Sequence, residues 1–84
     1  MKPSKHLLER AAQRDVDFSF IAKTVSAPDA IVADRSRPKS KLFARKCGGQ
    51  TCVVVVENNV MLTTYWANEN QARMFERKSK KAAA

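Results

Sequence analysis

Acidic residues are scarce in this 84-residue chain: 8 Asp and Glu stand against 16 Lys and Arg, leaving a formal net charge of +8. Histidine occurs once, and cysteine and glycine twice each. One His and two Cys provide no second Cys/His pair, so a structural zinc site is excluded. Neither a metal constellation nor a Gly-rich phosphate loop is present. Metalloenzymes and nucleotide hydrolases are set aside, and no metal or cofactor is expected. No apolar run approaches the ~18–20 residues that span a bilayer. The opening MKPSKHLLERAAQ lacks the apolar centre of a signal peptide. The sequence therefore predicts a cytoplasmic protein with no membrane partner. In that reducing compartment Cys47 and Cys52, which flank GGQT, are expected as free thiols.

What the chain has instead is positive charge on a small body. A protein of this length buries only about 60–65% of the surface its unfolded form exposes, enough for one core. The charge predicts attraction to polyanions such as RNA, DNA or an acidic protein.

Residues 4–14 are expected to form a helix, with Ser4 as cap and Leu7, Leu8, Ala11 and Ala12 as its apolar face. A second helix is expected over 18–26. Asp17 caps it, Val16 and Ile21 staple its entry, Phe18, Ile21, Ala22 and Val25 line it, and Pro28 follows its end. Four strands follow at 30–33, 41–46, 51–57 and 60–66, with turns at Gly48-Gly49 and Asn58-Asn59. The continuous TCVVVVE run suggests a central strand covered on both faces. On the last strand Val60, Leu62, Thr64 and Trp66 are expected on one face, and Met61, Thr63 and Tyr65 on the other. The fold class is α+β: two N-terminal helices packed on one face of a four-stranded antiparallel meander, with an optional short C-terminal helix. One domain spans 1–70, followed by a basic tail over 71–84.

His6, Arg10 and Arg14 recur at steps of four, which stacks them along one helical stripe. A group able to move a proton near neutral pH then sits beside two permanent cations. Arg35, Arg37, Lys39 and Lys41 place a cation at every second residue of an apolar-free loop. In an extended chain all four would project to one side as a phosphate track.

Taken along the chain, His6, Glu9-Arg10, Arg14-Asp15, Pro28, the Val53–Val56 run and Thr63-x-Tyr65 resemble a known group. They are similar to short bacterial and phage members of the barnase–EndoU–colicin–RelE-like ribonuclease superfamily, over roughly residues 5–66. Family members often carry glycine in the turn after the first helix, where this chain has Asp15-Val16-Asp17. The resemblance implies a site of His6, Arg10, Thr63 and Tyr65. It also implies a toxin-type partner relationship, with RNA as target and an acidic antitoxin or host protein as a further partner.

Metal-free RNA cleavage needs a base for the 2′-OH, cations for the phosphate and an acid for the leaving oxygen. The leading expectation is thus a metal-independent endoribonuclease centred on His6, Arg10, Thr63 and Tyr65. Arg14, Arg35, Arg37, Lys39, Lys41 and Arg45 would contact nucleic acid. The rival is a non-catalytic phage or mobile-element module that binds nucleic acid or an acidic protein, since fold does not fix function. Each residue also has an ordinary reading: His6 as a solvent-facing side chain, Thr63 and Tyr65 as strand packing, Trp66 as core, and the loop as solvated charge.

Overall fold

The computed structural model describes residues 1–83, and the side chains of residues 1–79. The elements run β1 (Lys2–Pro3), α1 (Lys5–Gln13), α2 (Phe18–Ser26), β2 (Ala30–Ala33), β3 (Lys41–Cys47), β4 (Gln50–Glu57), β5 (Val60–Trp66) and α3 (Glu69–Ala83). The fold is α+β, with a five-stranded mixed sheet in the order β1-β5-β4-β3-β2. The expected four-stranded antiparallel meander is its larger part. The addition is β1, which pairs parallel to β5 through Lys2 and Pro3. So short a strand carries no periodicity, and it forms because Ser4 anchors the chain there. The Ser4 amide donates to Met61 O at 2.9 Å, and its hydroxyl donates to Leu62 O at 2.9 Å.

Local chemistry explains the helix ends. Ser4 Oγ accepts from the Leu7 amide at 3.0 Å and opens α1. At its other end the Arg14 and Val16 amides reach back to Arg10 O and Ala11 O, and Asp15 takes φ 55. That is the left-handed helix stop usually filled by glycine. Asp17 Oδ1 accepts from the Ser19 amide at 2.8 Å and opens α2. Val16 and Ile21 flank that cap and are buried in one cluster, as a hydrophobic staple requires.

Two cores sandwich the sheet. On one face Leu7, Ala11, Val16 and Ile21 from the N-terminal helices meet Cys52, Val54, Val56 and Met61. On the other, Phe75 of α3 meets Ala30, Ala44 and Val53. The expected single helical layer is thus corrected to helices on both faces. The boundary expected at residue 70 falls inside α3. The all-valine stretch of β4 is buried throughout because both its faces are covered.

Two face assignments also change. Met61 lies with Thr64 on the α1/α2 side, because the β4–β5 register shifts between Val55 and Val56. An inserted residue reverses the inside–outside alternation beyond it. The apolar faces of the first two helices are narrower than expected. Leu8 and Phe18 stay exposed, while Thr24 is buried, its hydroxyl donating to Phe20 O. The helix i−4 carbonyl satisfies the hydroxyl, so Thr24 can face the sheet where an aliphatic residue would be expected.

Candidate nucleic-acid interface

Helix α1 runs beside β5 in the same direction. Its start is tied to Met61 and Leu62 through Ser4, and its end is tied to Thr64 and Trp66 through Arg14. The Arg14 guanidinium donates from Nη1 to Thr64 O at 3.0 Å, and Trp66 Nε1 donates back to Arg14 O at 3.1 Å. Among the described residues no strand pairs with this edge of β5 beyond Met61, and Arg14 donates to it there instead. The indole also makes an edge-on contact with Phe20, ring centres 6.0 Å apart and planes at 65°.

Arg14, Tyr65, Trp66, Asn68 and Gln71 line an open cleft here. Asn68 and Gln71 form a reciprocal cap at the head of α3. Gln71 N donates to Asn68 Oδ1 at 2.9 Å, and Asn68 N donates to Gln71 Oε1 at 3.3 Å. Burial raises the Tyr65 hydroxyl above its ordinary 10.0; the Gln71 amide opposes the rise, the Asp34 carboxylate adds to it and Arg14 opposes it. Tyr65 is therefore a neutral hydroxyl at physiological pH.

The four residues expected to form a catalytic centre do not share this cleft. His6 and Arg10 sit on α1, whose buried face packs on the Cys52–Val54–Met61 side of the sheet. Tyr65 packs on the opposite side with Phe75 and Val53, and Thr63 shares its strand parity. His6 is exposed, and its Nε2 accepts from Arg10 Nε at 3.3 Å. Arg10 Nη1 also donates to Gln13 Oε1. Sequence spacing brought His6 and Arg10 together, and the sheet separates them from Thr63 and Tyr65.

The basic residues divide in a similar way. Arg35, Arg37, Lys39 and Lys41 are all exposed. Their loop is not extended, which corrects the expected one-sided track. Asp34 Oδ1 accepts from Ser36 N at 2.9 Å, and Ser40 N donates to Arg37 O at 2.9 Å. Two tight turns fold Arg35, Arg37 and Lys39 into a compact knob, and Lys41 follows it as the first residue of β3. The knob is anchored by buried Ser40, whose hydroxyl donates to Glu57 Oε1 at 2.9 Å. Arg45 is half-buried, and its Nη1 donates to Ala27 O at 2.6 Å, closing the end of α2.

The sequence reads Trp66 as core, and does not single out Asn68 and Gln71. The N-x-x-Q spacing of a helix cap was the available signal for those two. A second cavity, of about 490 Å³, lies between α3 and the same end of the sheet. Asp29, Glu69 and Glu76 bring carboxylates to its lining, with Phe75 and Ala44 among its apolar residues. Among the described residues no group of three His, Cys, Asp or Glu is placed to hold a metal ion. Cys47 and Cys52 are both free thiols. Among the described residues no helix is long and apolar enough to cross a membrane.

No family model, curated protein or solved structure matches this chain.

Proposed function

We propose that the protein is a nucleic-acid-binding module whose target is RNA. The observation that carries this reading is the absence of internal charge compensation. Among the described residues Arg73 alone forms an ion pair, with Glu69 at 4.0 Å on an exposed helix face. The remaining described cations have no carboxylate partner, on a chain of net charge +8. Unpaired surface cations gain most from phosphate, because each neutralised phosphate releases a condensed counterion. Arg35, Arg37 and Lys39 of the knob, with Lys41 at the start of β3, group four such exposed cations.

The test is fluorescence anisotropy of a labelled RNA against salt, comparing wild type with an Arg35→Gln/Arg37→Gln/Lys39→Gln variant. Binding should weaken steeply with salt, and the variant's log–log slope should fall by about 2–3. Absence of binding at low salt, or an unchanged slope, overturns the reading.

Metal-independent RNA cleavage is the second reading, favoured by one observation: Arg14 and Tyr65 line a common cleft. The element order supports the same likeness to the RelE-like ribonucleases: a helix bearing His6, a second helix ending before Pro28, then β4, a turn and β5 with Thr63-x-Tyr65. RNA incubated with EDTA distinguishes the readings. Cleavage that is lost in Tyr65→Phe supports catalysis; intact RNA with wild-type protein removes it.

A further inference from the structure

We propose that the cleft formed by Arg14, Tyr65, Trp66, Asn68 and Gln71 is a subsite for one nucleotide of single-stranded RNA. This deepens the RNA-binding reading and rests on it.

The lining of the cleft offers donors and no carboxylate; the Asp34 carboxylate that acts on Tyr65 lies outside it. A guanidinium carries five N–H groups, and Arg14 uses one nitrogen, Nη1, toward Thr64 O. Its Nη2 and Nε make no hydrogen bond among the described residues and are suited to phosphate oxygens. Asn68 and Gln71 each spend the side-chain oxygen on the other's backbone amide. What remains for a ligand on Asn68 is the NH₂ group, a donor matched to a keto oxygen of a base or to a phosphate. The neighbouring cavity is the contrast, since Asp29, Glu69 and Glu76 bring three carboxylates that offset the charge of Arg45 and Lys46 on its lining.

Trp66 supplies the flat surface. Its indole is fixed at one edge by Arg14 O and braced by Phe20, yet it is only half-buried. A ring already immobilised loses little freedom when a base stacks on it. One backbone arginine contact beside an aromatic platform fits a base turned out of its stack. An A-form duplex keeps its bases stacked and presents phosphates and 2′-hydroxyls instead, so the single strand is preferred.

Trp66 is the only tryptophan, so tryptophan emission comes from this one cleft-lining side chain. The experiment titrates the full chain with a short single-stranded RNA, a duplex RNA of equal charge and inorganic polyphosphate. A labelled copy of each RNA is followed in parallel by anisotropy. The single strand should quench Trp66, while duplex and polyphosphate leave it largely unchanged. Asn68→Asp and Gln71→Glu keep the oxygen that caps α3 and replace the donor with negative charge. Each should weaken single-strand binding about 10-fold, the size expected for loss of one stacked and hydrogen-bonded base. Asn58→Asp, the same charge change at the Asn58-Asn59 turn, should weaken it far less. Circular dichroism of Asn68→Asp and Gln71→Glu should match wild type, so a fall in affinity is not a fall in folding.

Single-strand binding by anisotropy with no change in Trp66 emission overturns the subsite and leaves the RNA-binding reading standing. Equal losses in Asn68→Asp and Asn58→Asp do the same. No binding of either RNA at low salt overturns both.

Discussion

Arg14 and Thr64 join the end of the first helix to the open edge of the last strand, guanidinium to carbonyl at 3.0 Å. The sequence spacing recommends Arg14 as a phosphate ligand, and the fold gives it a structural task as well. Arg14→Ala should cost about 1–2 kcal/mol, the range of a charge-assisted hydrogen bond near a surface. The loss should be accompanied by altered Trp66 emission, because the guanidinium's tie to Thr64 O holds the end of α1, and with it the Arg14 carbonyl that accepts from the indole, against β5. Urea unfolding followed by fluorescence measures both. An unchanged midpoint would mean that water replaces the guanidinium without penalty.

Asp15 sits at φ 55, a conformation that glycine adopts without steric penalty. Asp15→Gly should therefore stabilise the protein by about 0.5 kcal/mol, and Asp15→Val should destabilise it by about 1–2 kcal/mol. Asp tolerates the position better than most side chains, which keeps the first effect small. Thermal melts of the pair read the difference; destabilisation by glycine would contradict the assignment of this turn.

Phe75 decides whether the C-terminal segment is a layer of the fold or an appendage. Its ring is 3% exposed against Ala30, Ala44 and Val53. Phe75→Ala should cost about 3 kcal/mol, as for an aromatic truncated in a core. Removal of residues 68–84 should abolish cooperative unfolding, since it bares one whole face of the sheet. A truncated chain that melts as wild type would return α3 to the status of a tail.

Alkaline pH should unfold the protein before mild acid does. Burial holds the Cys52 thiol above its ordinary 9.0, against hydrogen bonding by Thr24 and Thr64, and holds the Tyr65 hydroxyl above 10.0. Both groups ionise earlier in the unfolded chain, so the unfolded state is the one favoured as protons are removed. Stability is fully present below pH 9.0 and declines as pH rises through that value and then through 10.0. Asp17 acts in the opposite sense. Hydrogen bonding by Ser19 lowers its carboxyl below 3.8, so its contribution is present above that value and fades as pH falls. Urea midpoints at about pH 8 and about pH 10.5 measure the alkaline limb. Cys52→Ala and Tyr65→Phe should flatten it, and identical slopes in all three proteins would exclude these groups as its cause.

Much of the local structure was legible in the residues themselves. Ser4 and Asp17 cap their helices, Pro28 follows the second, and the Asn58-Asn59 pair turns at positive φ because its side chains tolerate it. These are decisions made within four or five residues, where caps and turns have their own chemistry. The bulge beside Leu62 was not legible. It depends on how β5 registers against β4, and nothing in VMLTTYW marks the slip.

The candidate site was half legible for a related reason. His6 and Arg10 met as their spacing requires, and Thr63 and Tyr65 shared a face as theirs requires. Whether the two pairs would meet depended on which side of the sheet α1 occupied, a question no spacing along the chain can answer.

The sequence by itself determined an α+β chain with excess positive charge, the identity and limits of its main helices and strands, and the turns between them. Tertiary structure decided the fifth strand, the helical layer on the second face, the separation of His6 from Tyr65, and the cleft where Arg14, Trp66 and Asn68 converge. The division is physical. Caps, turns and periodicity arise from interactions a few residues apart, whereas layer side and strand register are set by burying apolar surface shared between segments far apart in the chain.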